Sequence, residues 1–207
     1  MQGYLLTALV ALLAIVCHEC AHGWVSYKLG DPTAKNAGRL TLNPLKHIDP
    51  IGILCMVLFR VGWAKPVPIN PYHYRDRKKG IIYVSIAGPA TNFIIAFISL
   101  LIEGLLLKYL PSHNANWIFC QLCYYSAVVN ISLGQFNLVP IPPLDGSKIL
   151  FAFLPLDKYL RFTQGSNVMM IVFILLIASG ILDGPLMTMV SNTIDIFSSV
   201  AISIWKL

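Results

Sequence analysis

Long apolar runs alternate along this chain with short stretches rich in charge and proline. Tyr4 to Val25 is almost wholly apolar, and about 20 helical residues suffice to cross a bilayer core. The run begins next to Met1 without a basic flank or a small-residue cleavage site, so it reads as a retained first helix. A polar stretch follows from Ser26 to Pro50, and Asp49-Pro50 predicts a helix start, an aspartate N-cap with proline at the first helical position. Ile51 to Trp63 has only 13 residues, which fits a re-entrant segment better than a crossing. Beyond a second proline-rich stretch, Lys65 to Pro71, the pattern predicts a long span at Ile81–Leu107, kinked at Gly88-Pro89. Trp117–Val139 predicts a returning span that Pro140, Pro142 and Pro143 end. A short interfacial helix is expected from Ser147 to Phe153, and another span from Val168 to Leu182. Leu186–Ile204 carries one apolar face, with Ser191, Asp195 and Ser198 off it, and suits either a last crossing helix or an interfacial one.

Composition agrees with lipid as the solvent. Of 207 residues 57% are apolar and 12% charged, against about 25% charged in soluble domains. The expected fold is therefore an all-α polytopic membrane protein of about five or six transmembrane helices, with a re-entrant segment and extended, membrane-associated loops. No internal repeat or second soluble domain is visible, so residues 1–207 form one domain.

The net charge of +6 would suggest nucleic acid in a soluble protein. Here ten of the 15 Lys and Arg residues fall between 26 and 80, and Lys148, Lys158 and Arg161 follow the span ending at Val139. By the positive-inside rule both stretches are cytoplasmic and the N-terminus lies outside, provided that residues 51–63 re-enter without crossing. No basic stripe interleaved with aromatics points to nucleic acid. The five cysteines mostly lie in apolar segments and imply no disulfide framework.

The chemistry begins with His18-Glu19-Cys20-Ala21-His22. Positions i and i+4 of a helix share a face, so both imidazoles can bind one tetrahedral zinc ion, while Glu19 reaches a water as general base. A carboxylate inside a spanning helix costs about 2.5–3.5 kcal/mol even on lenient scales, which argues for a task or a partner. A catalytic zinc needs a third protein ligand and an open fourth place. Glu103 and His113 lie toward the opposite membrane face. Asp145 follows directly on the cytoplasmic end of a span, in irregular backbone of the kind that lines a cavity, and is the preferred third ligand. His47, Asp49, His73 and Asp76 share its side but fit capping or solvent exposure better. Asn92 and Asn137 are amides on spanning helices; substrate contact and interhelical hydrogen bonding remain equally open for both. A metal-ion transporter or a non-catalytic scaffold would use the same residues differently, but the ionisable groups gather at one face instead of lining a full path.

Taken together, these motifs resemble the site-2 protease family of intramembrane zinc metalloproteases. His18-Glu19-x-x-His22, Gly88-Pro89-x-x-Asn92 and Asn137-x-x-Pro140-x-Pro142-Pro143-Leu144-Asp145-Gly146 match its three motifs in order. Gly38 to Pro44 and Ala64 to Pro68 resemble the connecting loops of its small prokaryotic members. The resemblance covers a core of residues 1–154, with C-terminal helices in 166–204, and shows no PDZ or nucleotide-sensing domain. It implies one zinc held by His18, His22 and Asp145, Glu19 as general base, and Asn92 and Asn137 as substrate-positioning groups. It also implies a multi-pass cell-membrane protein that cleaves transmembrane or membrane-tethered proteins, with Arg39–Leu42 as the candidate segment for pairing with an unwound substrate strand. Self-association into a homo-oligomer stays open.

Overall fold

The structure, a computed structural model, describes residues 2–50, 52, 65–110, 114–163 and 167–206. Its main helices are α1 (Gln2–Lys28), α2 (Thr33–Asn36), α3 (Arg77–Tyr109), α4 (Asn114–Leu138), α5 (Asp145–Phe151), α6 (Leu156–Thr163), α7 (Asn167–Ala178) and α8 (Asp183–Trp205). Short 3-10 turns lie at Pro44–Lys46 and Pro71–His73. Among the described residues no β-strand forms, and four helices (α1, α3, α4 and α8) are long and apolar enough to cross a membrane. The chain is an all-α, multi-pass membrane protein. The expected re-entrant segment at 51–63 lies outside the described residues except for Gly52, whose N–H donates to Asp49 as an N-cap requires.

Three of the spans pack on one another through small and branched side chains. Ala96 and Leu100 of α3, Ala127 and Ile131 of α4, and Val190 of α8 form a buried cluster. Ser99 and Ser126 hydrogen-bond across α3 and α4 at 2.8 Å, which satisfies two hydroxyls that lipid cannot. On the opposite side of α3, Ile94, Ile98, Ile102 and Leu105 form an exposed apolar row. In water that row would be a defect; in a bilayer it faces its proper solvent.

The last two helices differ from the sequence expectation. Helix α7 has 12 residues, about 18 Å at 1.5 Å per residue, against a hydrocarbon core of about 30 Å. Phe173 of α7 lies 6.1 Å from Phe136, near the end of α4 where the proline-rich turn begins. Helix α8 starts in that same half, where Gln135 donates to the Met189 carbonyl at 3.0 Å. It finishes beside the far end of α3, where Trp205 donates to the Leu101 carbonyl at 2.9 Å. The described helix at the expected span Val168–Leu182 is thus shorter than a bilayer core, and the ambiguous Leu186–Ile204 stretch falls in α8, which is long and apolar enough to cross. Hydropathy made α7 the stronger candidate, but length and packing partners favour α8.

Candidate metal centre

Helix α1 carries His18 and His22 on one face, and both are buried, with 4% of each residue exposed. Asp145 opens α5 and is 3% exposed. Its Oδ2 lies 3.0 Å from His18 Nε2 and 2.9 Å from His22 Nε2, and the two Nε2 atoms are 3.0 Å apart. Three ligand atoms thus converge on one point, the only such cluster of His, Cys, Asp or Glu among the described residues.

The hydrogen bonds behind these atoms decide what they can hold. His22 Nδ1 lies 2.6 Å from the Val84 carbonyl, which can only accept, so Nδ1 carries the proton. His18 Nδ1 lies 2.6 Å from Asn92 Oδ1. The Asn92 amide is oriented by its own donations, from Nδ2 to Asn130 Oδ1 at 2.8 Å and to the Ala14 carbonyl at 3.4 Å. Asn130 in turn donates to the Ser126 carbonyl at 2.9 Å, so the direction of the whole series is fixed. With Nδ1 protonated in both neutral imidazoles, each Nε2 presents a lone pair toward the other and toward a carboxylate oxygen. Such an arrangement of facing lone pairs favours a cation at its centre. Tetrahedral zinc with bonds of about 2.0–2.1 Å places its ligand atoms about 3.3 Å apart. The observed triangle needs only a slight widening to match. Two nitrogens and one oxygen suit zinc, and three protein ligands are the number found in catalytic sites.

The second sequence motif now has a physical account. A Cβ on Gly88 would fall 2.5 Å from His18 Cε1 and from His22 Nε2, so only glycine lets α3 lie against both rings. Pro89 lacks an N–H and leaves the Ser85 carbonyl without its helical partner, loosening α3 in the turn where Val84 accepts from His22. Asn92, one turn further on, is fully buried and meets His18. Asn137 sits elsewhere, half-buried near the end of α4, and its Nδ2 donates to the Leu133 carbonyl of its own helix at 2.9 Å.

The third motif brings Asp145 inward by reversing the chain. Leu144 N–H closes a turn onto the Ile141 carbonyl at 2.9 Å, and Ser147 Oγ donates to the Leu144 carbonyl at 2.7 Å. At Gly146 a side chain would overlap the carbonyls of Leu138 and Val139, so glycine alone permits α5 to pack on the end of α4. Lys148, three residues after Asp145, places Nζ 2.7 Å from Asp145 Oδ1.

Glu19, next to His18, turns toward the proline-rich segment, and its Oε2 accepts from Val67 N–H at 2.8 Å. That segment is tied down along its length. Arg39 Nη2 donates to the Lys65 carbonyl at 2.6 Å, and Asn70 N–H donates to Asp31 Oδ2 at 2.7 Å. Val67 packs over Gly23 of α1, where an added Cβ would meet its Cγ1 at 3.0 Å. Asp31 is fully buried and also accepts from Ser26 Oγ at 2.8 Å and from Thr33 N–H at 3.0 Å, with His73 Nδ1 at 3.3 Å. Burial alone would raise its carboxyl, but the Asn70, Thr33 and Ser26 hydrogen bonds outweigh it and hold Asp31 below the ordinary carboxylate range. Between this segment and the metal cluster lies a cavity of about 340 Å³, lined by His22, Pro66, Val67, Val84, Asp145 and Lys148 among others.

Of the loop residues first weighed as ligands, Asp76 caps α3 by accepting from Lys79 N–H at 3.0 Å. His47 departs from the expected exposure: it is 1% exposed and its Nε2 donates to the Thr41 carbonyl at 2.8 Å. The sequence reading missed the Val84 carbonyl, the Val67 N–H and Lys148. The backbone groups leave no trace in residue type, although the Gly88-Pro89 pair marked the turn that supplies the carbonyl.

Comparison with known proteins places the chain. The model of the family described as "Peptidase family M50" matches residues 104–179. The Bacillus subtilis (strain 168) protein named "Putative zinc metalloprotease YwhC" is 38% identical over 178 residues, covering 85% of this chain and 80% of that protein. The Mycolicibacterium smegmatis protein named "Putative zinc metalloprotease Rip2" is 32% identical over 65% of this chain, which spans about half (52%) of that relative. "Zinc metalloprotease MJ0392" of Methanocaldococcus jannaschii is 27% identical over 70% of this chain and 33% of its own length. No solved structure matches the chain. With a family model and a well-covered relative in agreement, the chain belongs to peptidase family M50, the site-2 protease family, and is a membrane zinc metalloprotease.

Proposed function

We propose that this protein is an intramembrane endopeptidase that cleaves transmembrane or membrane-tethered proteins, with zinc held by His18, His22 and Asp145. The observation that carries the reading is the convergence of three buried ligand atoms on one point within a bundle of spanning helices. When bound, zinc supplies Lewis acidity, polarising the scissile carbonyl and lowering the pKa of water toward neutrality.

Asn92 and the Val84 carbonyl hold the two imidazoles in the tautomer whose Nε2 faces the site. Glu19 takes a proton from the attacking water and delivers it to the leaving amine nitrogen. Its carboxylate is aimed by Val67 N–H, which leaves the side chain little freedom to rotate away. Asn92 acts through His18 instead of touching substrate, because it is fully buried behind the ring. Asn137, half-exposed at the end of α4, keeps the role of a substrate-positioning amide. The peptide must arrive locally unwound, since helical carbonyls are hydrogen-bonded and shielded. The concentration of Lys and Arg between residues 26 and 80 supports a cytoplasmic site and an external N-terminus.

The test is cleavage of a membrane-tethered reporter in proteoliposomes by wild type and Glu19→Gln. The variant is expected to retain zinc and lose cleavage. Undiminished cleavage by Glu19→Gln would remove Glu19 as the base.

A further inference from the structure

The two oxygens of Asp145 have different partners. Oδ2 faces both Nε2 atoms, at 3.0 and 2.9 Å, whereas Oδ1 lies 2.7 Å from Lys148 Nζ. Lys148 belongs to the same short helix, three residues on, and its side chain is 34% exposed toward the cavity that His22 and Asp145 also line. Its Nζ is directed at the one carboxylate oxygen that does not face the imidazoles.

The division matters for catalysis. A carboxylate binds zinc through one oxygen or through both. If both oxygens of Asp145 joined the two histidines, they would take the place that a catalytic site leaves open. Within α5, a charged donor on Oδ1 keeps that oxygen turned away from the point where the ligands converge.

We propose that Lys148 is a positioning residue that holds Oδ1 of Asp145 away from the metal, so that Asp145 ligates through Oδ2 alone and one coordination place stays free. This inference rests on the zinc reading of the site. It extends the pattern already seen for the histidines: His18 is aimed by Asn92, His22 by Val84 and Asp145 by Lys148. Partners of this kind are commonly worth about 10–100-fold in metal affinity or activity.

The experiment compares wild type, Lys148→Met and Lys148→Arg, each purified in detergent without chelators and loaded with cobalt(II) as a spectroscopic substitute for zinc. Four-coordinate cobalt gives strong visible bands that weaken when a fifth ligand joins. Lys148→Met is expected to show weakened bands, and a zinc-edge X-ray absorption spectrum with one more light-atom ligand. Its kcat on the tethered reporter should fall about 10–100-fold with little change in KM, while Lys148→Arg should restore both spectra and rate. A purely structural lysine would alter melting temperature without changing the coordination number. Wild-type spectra in a metal-loaded Lys148→Met would overturn this inference and leave the zinc reading intact. Failure of the wild type itself to take up zinc or cobalt would overturn both. If Lys148→Met does not yield folded helical protein, Lys148→Ala is read by the same spectra.

Discussion

Replacing Gly88 by alanine adds one methyl group where α3 meets His18 and His22, the proposed metal ligands. The new Cβ would stand 2.5 Å from His18 Cε1, 2.5 Å from His22 Nε2 and 2.6 Å from His18 Nε2. Relaxed contacts between heavy atoms lie at about 3.5–4.0 Å, so the rings must retreat by roughly 1 Å. They have little room to do so, because each Nδ1 is held at 2.6 Å by Asn92 or by the Val84 carbonyl. Metal sites tolerate distance errors of only about 0.2 Å. Overpacking of this kind costs about 1–3 kcal/mol, and alanine returns up to about 1 kcal/mol in helix propensity, so the helix bundle should survive. If the strain falls on the metal-bound geometry, zinc affinity drops about 5- to 150-fold, at 1.4 kcal/mol per decade. The assay is competition for zinc against a chelator of known affinity in detergent, with helix content followed by circular dichroism. Gly134→Ala is the control, since its Cβ meets Phe93 Cζ and the Pro89 carbonyl at a milder 3.3 Å. A folded Gly88→Ala protein with wild-type zinc affinity would refute the account of the glycine and of ring placement together.

Three further outcomes follow from the same geometry. Asn92→Ala removes the acceptor of His18 Nδ1–H and leaves a buried donor unpaired; zinc affinity should fall about 10–100-fold, and equal affinity in the chelator titration would place Asn92 outside the site's support. Asp145→Ala removes one of the three proposed ligands, so metal analysis after purification should show zinc near zero against about one per wild-type chain, and full zinc in the variant would exclude it as a ligand. Asp31 is held below the ordinary carboxylate range in the folded protein, so its stabilisation is complete above the unfolded value, near 3.8, and is lost as pH falls through the lower native one. Melting temperatures of wild type should therefore fall more steeply below about pH 4 than those of Asp31→Asn; parallel curves would show that Asp31 does not bind the 65–70 segment through its charge.

Much of this protein is legible along its chain because lipid imposes a simple rule. Every backbone polar group must be paired within the bilayer, so apolar length alone marks α1, α3 and α4, and Pro140 marks an exit. The i, i+4 histidines predict a shared helical face for the same local reason. What hydropathy left undecided was the role of α7 and α8, because crossing depends on helix length and on which neighbours the ends meet. Phe136 and Leu101 decide that, and neither is near in sequence to the helices they receive.

The residue types around the metal were also visible, but their pairing was not. The sequence alone determined an all-α membrane chain with two histidines ready to share a metal, and it offered Asp145 among several acidic candidates. Only the tertiary structure brings Asp145, 127 positions from His18, to within 3.0 Å of it. It also turns Asn92 from a free amide into the acceptor that fixes a tautomer, and recruits the Val84 carbonyl and Val67 N–H, which belong to no side chain. Local spacing sets which face a residue occupies. Packing between distant helices sets what that face meets, and a metal centre is built from such meetings.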